Sequence, residues 1–148
     1  MEEVLDTFLA GSRARYALLV DRNGQLVVAV GHQAGLDSTS FASLAAADFS
    51  ANDQLASLLG EQEFSSLFHQ GENESMYLAD VERRLILVAL FGPGATLGLI
   101  RLRARAAVKA LGEVVTDLFE RPAAMPIQLE PTWLEEAESE IDRLFGSL

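Results

Sequence analysis

Residues 38–60 read STSFASLAAADFSANDQLASLLG and decide the fold, because they predict one long helix at the centre of the chain. Residues that favour helix N-caps open the stretch at Ser38, Thr39 or Ser40, and Gly60 closes it. At 100° per residue, one side of this helix is apolar, and a further set widens that surface by roughly a quarter turn. We therefore expect the helix to be covered on two sides. The first set is Phe41, Leu44, Ala51, Leu55, Leu58 and Leu59, and the second is Ala42, Ala45, Phe49 and Ala56.

Two polar residues, Asp48 and Asn52, lie one turn apart inside this apolar arc. A buried polar group without a partner costs about 1 to 3 kcal/mol, so both side chains need one. A second copy of the helix could offer the same pair across a two-fold axis, which makes Asp48 and Asn52 a candidate dimer interface. The alternative is that both side chains look into solvent at a groove.

The remaining arc of the helix is small and mildly polar. It suits the close approach of another protein, and it equally suits an ordinary solvated face. Its residues are Ala46, Ala47, Ser50, Asp53, Gln54 and Ser57.

The segments around this helix predict an α/β (α+β) fold with four or five mostly antiparallel strands. Two β-rich runs, 16–20 and 25–30, flank the turn that ends in Asn23 and Gly24 and predict a hairpin. Further strands are expected at 67–70, 75–81 and 84–91. Helices are expected at 2–10 and 95–120, with a short helical turn at 61–66. On the second long helix, Arg101, Arg105 and Lys109 form a basic row, for which a solvated face is the default interpretation.

The chain divides into a domain at 1–120, a linker at 121–131 and a C-terminal amphipathic helix at 132–148. Pro122, Pro126 and Pro131 exclude a regular element from the linker. The last segment opens with a capping-box pattern at Thr132 and carries an apolar stripe on one face. That stripe could dock on its own domain or on a partner. Its residues are Leu134, Ala137, Ile141, Leu144 and Phe145.

The amino-acid composition of the chain argues against several classes of function. The chain has 148 residues, no cysteine and a formal charge of −11, so a nucleic acid or an anionic membrane would be repelled outside a local basic patch. The longest apolar run, 85–91, is too short to span a bilayer, and the N-terminus lacks the pattern of a signal peptide. We expect a protein of the cytoplasm that binds neither nucleic acid nor membrane.

No constellation of residues predicts an active site. The two histidines, His32 and His69, have no partner at metal-ligand spacing, and neither a phosphate-binding loop nor a Gly-x-Ser-x-Gly motif occurs. The carboxylates fall on helix surfaces and in turns, where solvation is the expected role. The sequence predicts no catalytic residue, no metal site and no cofactor. A small-molecule sensor is a weaker possibility, because no polar cluster converges on a pocket.

The order helix, hairpin, long helix, three strands, long helix resembles the roadblock/LC7 family, and several segments narrow the resemblance to its MglB-type members. These segments are 20–26, 37–40, 42–44, 59–64, 68–71 and 97–103, and the match runs from about residue 16 into the tail at 140–145. The resemblance implies a five-stranded sheet and a homodimer in which sheets join edge to edge and central helices pair. It also implies binding of an MglA-like Ras-family GTPase in its GTP form.

For the family, the resemblance implies accelerated GTP hydrolysis without an arginine finger, so that no residue here would be catalytic. The GTPase-facing surface matches Ser50 and Gln54, with Ala46, Asp53 and Ser57 as neighbours. The C-terminal helix matches 133–145, which makes its apolar residues contacts that modulate nucleotide state. They are Trp133, Leu134, Ile141, Leu144 and Phe145.

This sequence also departs from the family pattern. MglB-type proteins tend to carry alanine or glycine where this chain has Ser50, Asp53 and Gln54. Three alternatives stay open: a different GTPase, action beside another roadblock chain, or a scaffold dimer that holds polarity or motility proteins without altering hydrolysis.

Overall fold

A computed structural model describes residues 1–62 and 65–119 as one antiparallel sheet covered by helices on both faces. The strands lie in the order β2-β1-β5-β4-β3, and every neighbouring pair is antiparallel. The predicted α+β fold with five strands is confirmed. Its elements are α1 (Glu2–Ser12), β1 (Tyr16–Asp21), β2 (Leu26–Gly31), α2 (Ser38–Leu58), β3 (Ser66–Gln70), β4 (Ser75–Val81), β5 (Leu85–Phe91) and α3 (Leu97–Phe119).

One compact unit spans Met1–Val115, and a second unit begins at Thr116. The linker and the C-terminal helix predicted for 121–131 and 132–148 lie outside the described residues and stay predictions. No helix among the described residues is long and apolar enough to cross a membrane.

The predicted hairpin forms, and a side-chain hydrogen-bond network closes its turn. Asp21 accepts hydrogen bonds from the backbone N–H groups of Asn23 and Gln25, both at 2.9 Å. Gly24 adopts φ 90°, and a Cβ at this position would lie 3.0 Å from Cα of Ser43 on α2. Only glycine therefore lets the turn approach the helix this closely, and the hairpin is seated against α2.

Strand alternation divides the core into two layers. Leu18, Ile86 and Val88 pack beneath α2, whereas Leu19, Leu87 and Ala89 face the layer that holds residues of α1 and α3. All seven residues of β5 are buried, because a central strand covered on both faces has no solvent-facing side. The single chain thus already covers both faces of its sheet.

The N-cap of α2 is Asp37, so the prediction of Ser38, Thr39 or Ser40 was wrong by one residue. Asp37 has an extended backbone, and its carboxylate accepts from the Ser40 hydroxyl at 2.8 Å and from the Ser40 N–H at 3.4 Å. These bonds, the hydroxyl first, hold the pKa of Asp37 below its ordinary value because they stabilise the charged form.

Two helix boundaries also differ from expectation. The helix α2 ends at Leu58, and Gly60 follows with φ 80°. The helical turn expected at 61–66 is wrong where the structure describes it, because residues 61 and 62 are not helical and Ser66 begins β3. The last long helix, expected from residue 95, begins at Leu97, where the Thr96 hydroxyl accepts from the N–H of Leu99 at 3.2 Å.

Candidate functional site on the central helix

The helix α2 presents three faces. Its core face consists of small residues and one phenylalanine, all buried against the sheet. A second face, the leucine stripe, consists of Leu44, Leu55, Leu58 and Leu59, and a third, the polar face, consists of Ser50, Asp53, Gln54 and Ser57. Helical geometry places the centres of the three faces about 120° apart. The helix can therefore pack on its own sheet and still offer two surfaces to other molecules.

The leucine stripe is exposed in the single chain. Its four side chains have relative exposures of 70%, 57%, 84% and 73% in sequence order. Single exposed leucines are common, but Leu55, Leu58 and Leu59 lie close together, with Leu44 on the same side about three turns earlier, and such a grouping indicates an interaction surface. The sequence predicted a helix covered on two sides, and the single chain covers only one of them.

The leucine stripe lies beside the free edge of the sheet. One turn after Leu44, the carboxylate of Asp48 is 2.6 Å from Nε2 of His69 on β3. Strand β3 is the last in the sheet order, so its outer edge has no neighbouring strand among the described residues. The unpaired edge of β3 and the leucine stripe thus lie side by side on the surface.

The two residues predicted for a dimer interface differ in environment. Asp48 already has His69 as an intrachain partner. Asn52 is 6% exposed, and its Nδ2 atom has no hydrogen-bond partner in the described part of the chain. Asn52 is therefore the member of the predicted pair with an unsatisfied polar atom, and that atom is buried within the chain.

An arginine in the β1–β2 turn bridges the polar face to the sheet. Nη1 of Arg22 donates to Asp53 on α2 at 2.9 Å, and Nη2 pairs with Asp80 on β4. The guanidinium also lies over the ring of Phe49, 4.9 Å from its centroid. We call this cluster the Arg22 bridge; it compensates the charge of Asp53 within the chain.

The predicted partner contacts on α2 are therefore not equivalent. Ser50, Gln54 and Ser57 are exposed. Asp53 is held by Arg22, and Ala46, at 6% exposure, packs in the core layer beneath α2. The free part of the polar face consists of two serines and one glutamine. The predicted contacts on the tail, Trp133, Leu134, Ile141, Leu144 and Phe145, lie outside the described residues.

The side chains of this site suit recognition. Within residues 1–62 and 65–119, no three side chains of the metal-binding types come together. Hydroxyl, amide and aliphatic groups dominate both exposed faces of α2, and such groups bind by shape, hydrogen bonding and burial.

Comparison with known proteins gives a consistent result. A family model described as Roadblock/LC7 domain matches residues 1–91. MglB from Myxococcus xanthus is 38% identical over 78% of this chain and 94% of its own length, with a TM-score of 0.76. The gliding protein MglB from Thermus thermophilus is 33% identical over 78% of this chain and 87% of its own, with a TM-score of 0.74. An MglB structure with a tetrameric arrangement is also 33% identical over 78% of this chain and 87% of its own, with a TM-score of 0.74. No curated protein sequence matches.

Proposed function

The chain belongs to the Roadblock/LC7 family, and on that basis we propose that it is a homodimeric, non-enzymatic activator of a Ras-like GTPase of the MglA type. The single observation that carries this proposal is the three-faced helix α2, which keeps two surfaces free after packing on its own sheet. The identity to two MglB proteins supports the choice of partner class. Cell polarity or gliding motility, in the cytoplasm, is the proposed setting.

The leucine stripe and the adjoining edge of β3 form the proposed dimer surface. Pairing two copies about a two-fold axis would bury both stripes, and each fully buried leucine contributes about 1.5 to 3 kcal/mol before ordering costs. The tetrameric arrangement of one similar MglB structure is in keeping with self-association.

The polar face forms the proposed GTPase surface. Ser50 and Ser57 are small enough for another backbone to come close, and Gln54 can both donate and accept hydrogen bonds. Residues 38–58 contain no arginine or lysine, so α2 has no cationic side chain to insert into the GTPase active site. Acceleration through this face would act by positioning the catalytic groups of the GTPase itself.

The C-terminal segment is the second proposed contact with the GTPase. Its apolar residues Trp133, Leu134, Ile141, Leu144 and Phe145 repeat at helical spacing. A segment of this length is marginal as an isolated helix, so we propose that covering its stripe stabilises the helix. Contact away from the nucleotide would let it modulate nucleotide exchange or affinity.

A scaffold dimer is the second candidate function. Asp53 and Gln54 make the polar face larger and more polar than the alanine or glycine expected from the family resemblance. Such a face favours an adaptor that binds a GTPase, or another polarity protein, without altering hydrolysis.

Single-turnover GTP hydrolysis separates the two candidates. The assay uses the MglA-like GTPase of the same genome, alone and with the wild-type chain, Gln54→Arg or the control Gln25→Arg. Gln25 is also exposed but lies in the β1–β2 turn, off the polar face. We expect wild type and control to accelerate hydrolysis about tenfold or more, equivalent to ~1.4 kcal/mol of barrier, and Gln54→Arg to lose the effect. An unchanged rate despite measurable binding would identify an adaptor.

A further inference from the structure

A groove between β4 and α3 lies on the face of the sheet opposite to α2. It encloses a volume of ≈ 310 Å³. Arg101, Arg105 and Val108 line it from α3, Tyr77 lines it from β4, and Ser65 and Ser66 lie at the start of β3. Guanidinium groups, hydroxyls and a partly apolar floor thus meet in one concave site.

The groove is cationic in a strongly acidic protein. Two of the 11 basic residues of the chain, Arg101 and Arg105, line it, although the formal net charge is −11. Arg101 and Arg105 are exposed and form no ion pair with another described residue. Charges of one sign gathered in a concave site concentrate ligands of the opposite sign.

Asp80, a described carboxylate residue of the groove lining, does not neutralise these arginines. Asp80 also lines the groove, but Ala79 and Val81 on either side of it belong to the core layer with α3. Because successive side chains alternate across a strand, that of Asp80 is directed to the other face, where it pairs with Arg22. Among residues 1–62 and 65–119, therefore, no carboxylate that lines the groove pairs with its two arginines.

Tyr77 adds a candidate hydrogen-bond donor to the groove. The residue is only 7% exposed, and its hydroxyl makes no hydrogen bond with any other described residue. The hydroxyl is not among the buried polar atoms that lack a partner, so the burial of the residue is mainly that of its ring. A ligand with an acceptor oxygen in the groove could accept a hydrogen bond from this hydroxyl.

We propose that this groove binds an acidic, unmodified peptide segment of a partner protein. Arg101 and Arg105 lie one turn apart on one helix face and can each bind a carboxylate through two parallel hydrogen bonds. Tyr77 donates to a further oxygen, and an apolar side chain of the segment packs on Val108. This site lies on the other side of the sheet from the proposed GTPase surface, and it stands whether or not the chain binds a GTPase.

Concavity and net charge favour a peptide over other polyanions. A bilayer or a nucleic acid presents a broad anionic surface to the whole molecule, whose formal charge of −11 would repel it. A short segment brings only its own carboxylates into the groove. The apolar floor suits a peptide side chain better than an isolated anion.

The test measures fluorescence anisotropy of a labelled ten-residue peptide that alternates glutamate with leucine, titrated with the full-length chain. We expect Arg101→Glu and Arg105→Glu each to weaken binding about tenfold or more, because charge-assisted hydrogen bonds are lost and a like charge is introduced. Arg103→Glu is the matched control, since Arg103 lies on the opposite side of α3 beside Gly11 and carries the same charge change. The peptide with glutamine in place of glutamate should not bind.

Two further variants separate recognition from folding. Tyr77→Phe should weaken binding about fivefold, the effect of one lost hydrogen bond, with the thermal midpoint unchanged. Arg105→Lys should bind better than Arg105→Glu, because it keeps the charge and loses only the bidentate geometry. Equal affinity of wild type, Arg101→Glu and Arg105→Glu would overturn the proposal. Arginine-dependent binding of phosphatidylserine vesicles or of a phosphoserine peptide, with none of the acidic peptide, would overturn it as well.

Discussion

At the scale of single residues, Arg22 joins three parts of the fold beside the proposed partner surface. It stands in a turn, yet its guanidinium reaches α2 through Asp53, β4 through Asp80 and the core through the ring of Phe49. Its side chain is 27% exposed and that of Asp80 is 13% exposed, so solvent only partly screens this pair. The bridge thereby fixes α2 to the sheet at the polar face.

Replacement of Arg22 tests how much the Arg22 bridge contributes to the free energy of unfolding. We expect Arg22→Met to lower the free energy of unfolding by about 2 kcal/mol, because Asp80 is left without its cation. Arg15→Met is the matched control, since the Arg15–Glu74 pair is 47% and 44% exposed and should contribute less than about 1 kcal/mol. Urea unfolding followed by circular dichroism measures both. Equal losses in the two variants would contradict the assignment of a structural role to Arg22.

The role of Arg22 was not predictable from the sequence. Its two carboxylate partners lie 31 and 58 positions further along the chain, and a charged residue in a turn is ordinarily solvated.

The N-cap of α2 was predicted incorrectly for a different reason. Asp37, Ser38, Thr39 and Ser40 are all residue types that cap helices, and the choice among them depends on which backbone is extended.

At the scale of elements, α2 shows what periodicity can predict and what it cannot. The extent of the helix was predicted to within two residues at its C-terminal end, because the apolar pattern is long and continuous. The apolar arc is too wide, however, to indicate which part of it faces the sheet. The alanines Ala42, Ala45 and Ala56 turn inward, where small side chains let the helix approach the strands closely, and the leucines are left outside.

The leucine stripe makes a prediction about assembly. We expect Leu55→Arg to convert a dimer into a folded monomer, because a buried charge without a partner opposes association of the two stripes. Leu102→Arg is the control: Leu102 on α3 has nearly the same exposure, 59% against 57%, but lies off the stripe. Size-exclusion chromatography with light scattering measures the mass, and circular dichroism the helix content. A dimer that survives Leu55→Arg would exclude the stripe as its contact.

At the scale of the whole molecule, the fold was predicted more securely than the site. Five strands were expected from the resemblance, and the position of β5 in the middle of the sheet is the expected one for its uninterrupted apolar sequence. The groove between β4 and α3 was not predicted. Its lining residues come from three separate segments, and the basic row alone indicated only a solvated face.

Removal of the C-terminal segment 132–148 gives a prediction about dimerisation and GTPase binding. We expect a chain cut after Pro131 to remain a dimer, because the leucine stripe and the edge of β3 lie outside the removed segment. The same cut should weaken GTPase binding or slow nucleotide exchange, because the removed stripe carries the proposed second contact. Light scattering measures the first outcome, and release of a fluorescent guanine nucleotide the second. Loss of the dimer on truncation would show that the tail takes part in self-association.

If the leucine stripe is the dimer contact proposed above, its exposure in the single chain has a consequence for where in a cell the protein works. A dimer held by a few side chains obeys mass action, so its concentration rises with the square of the local monomer concentration while monomers predominate. Copies gathered in one region would pair, and copies diluted elsewhere would separate. Any regulation that requires the dimer would then occur only where the protein accumulates. A gradual change in protein concentration across the cell would produce a steeper change in the concentration of active dimer.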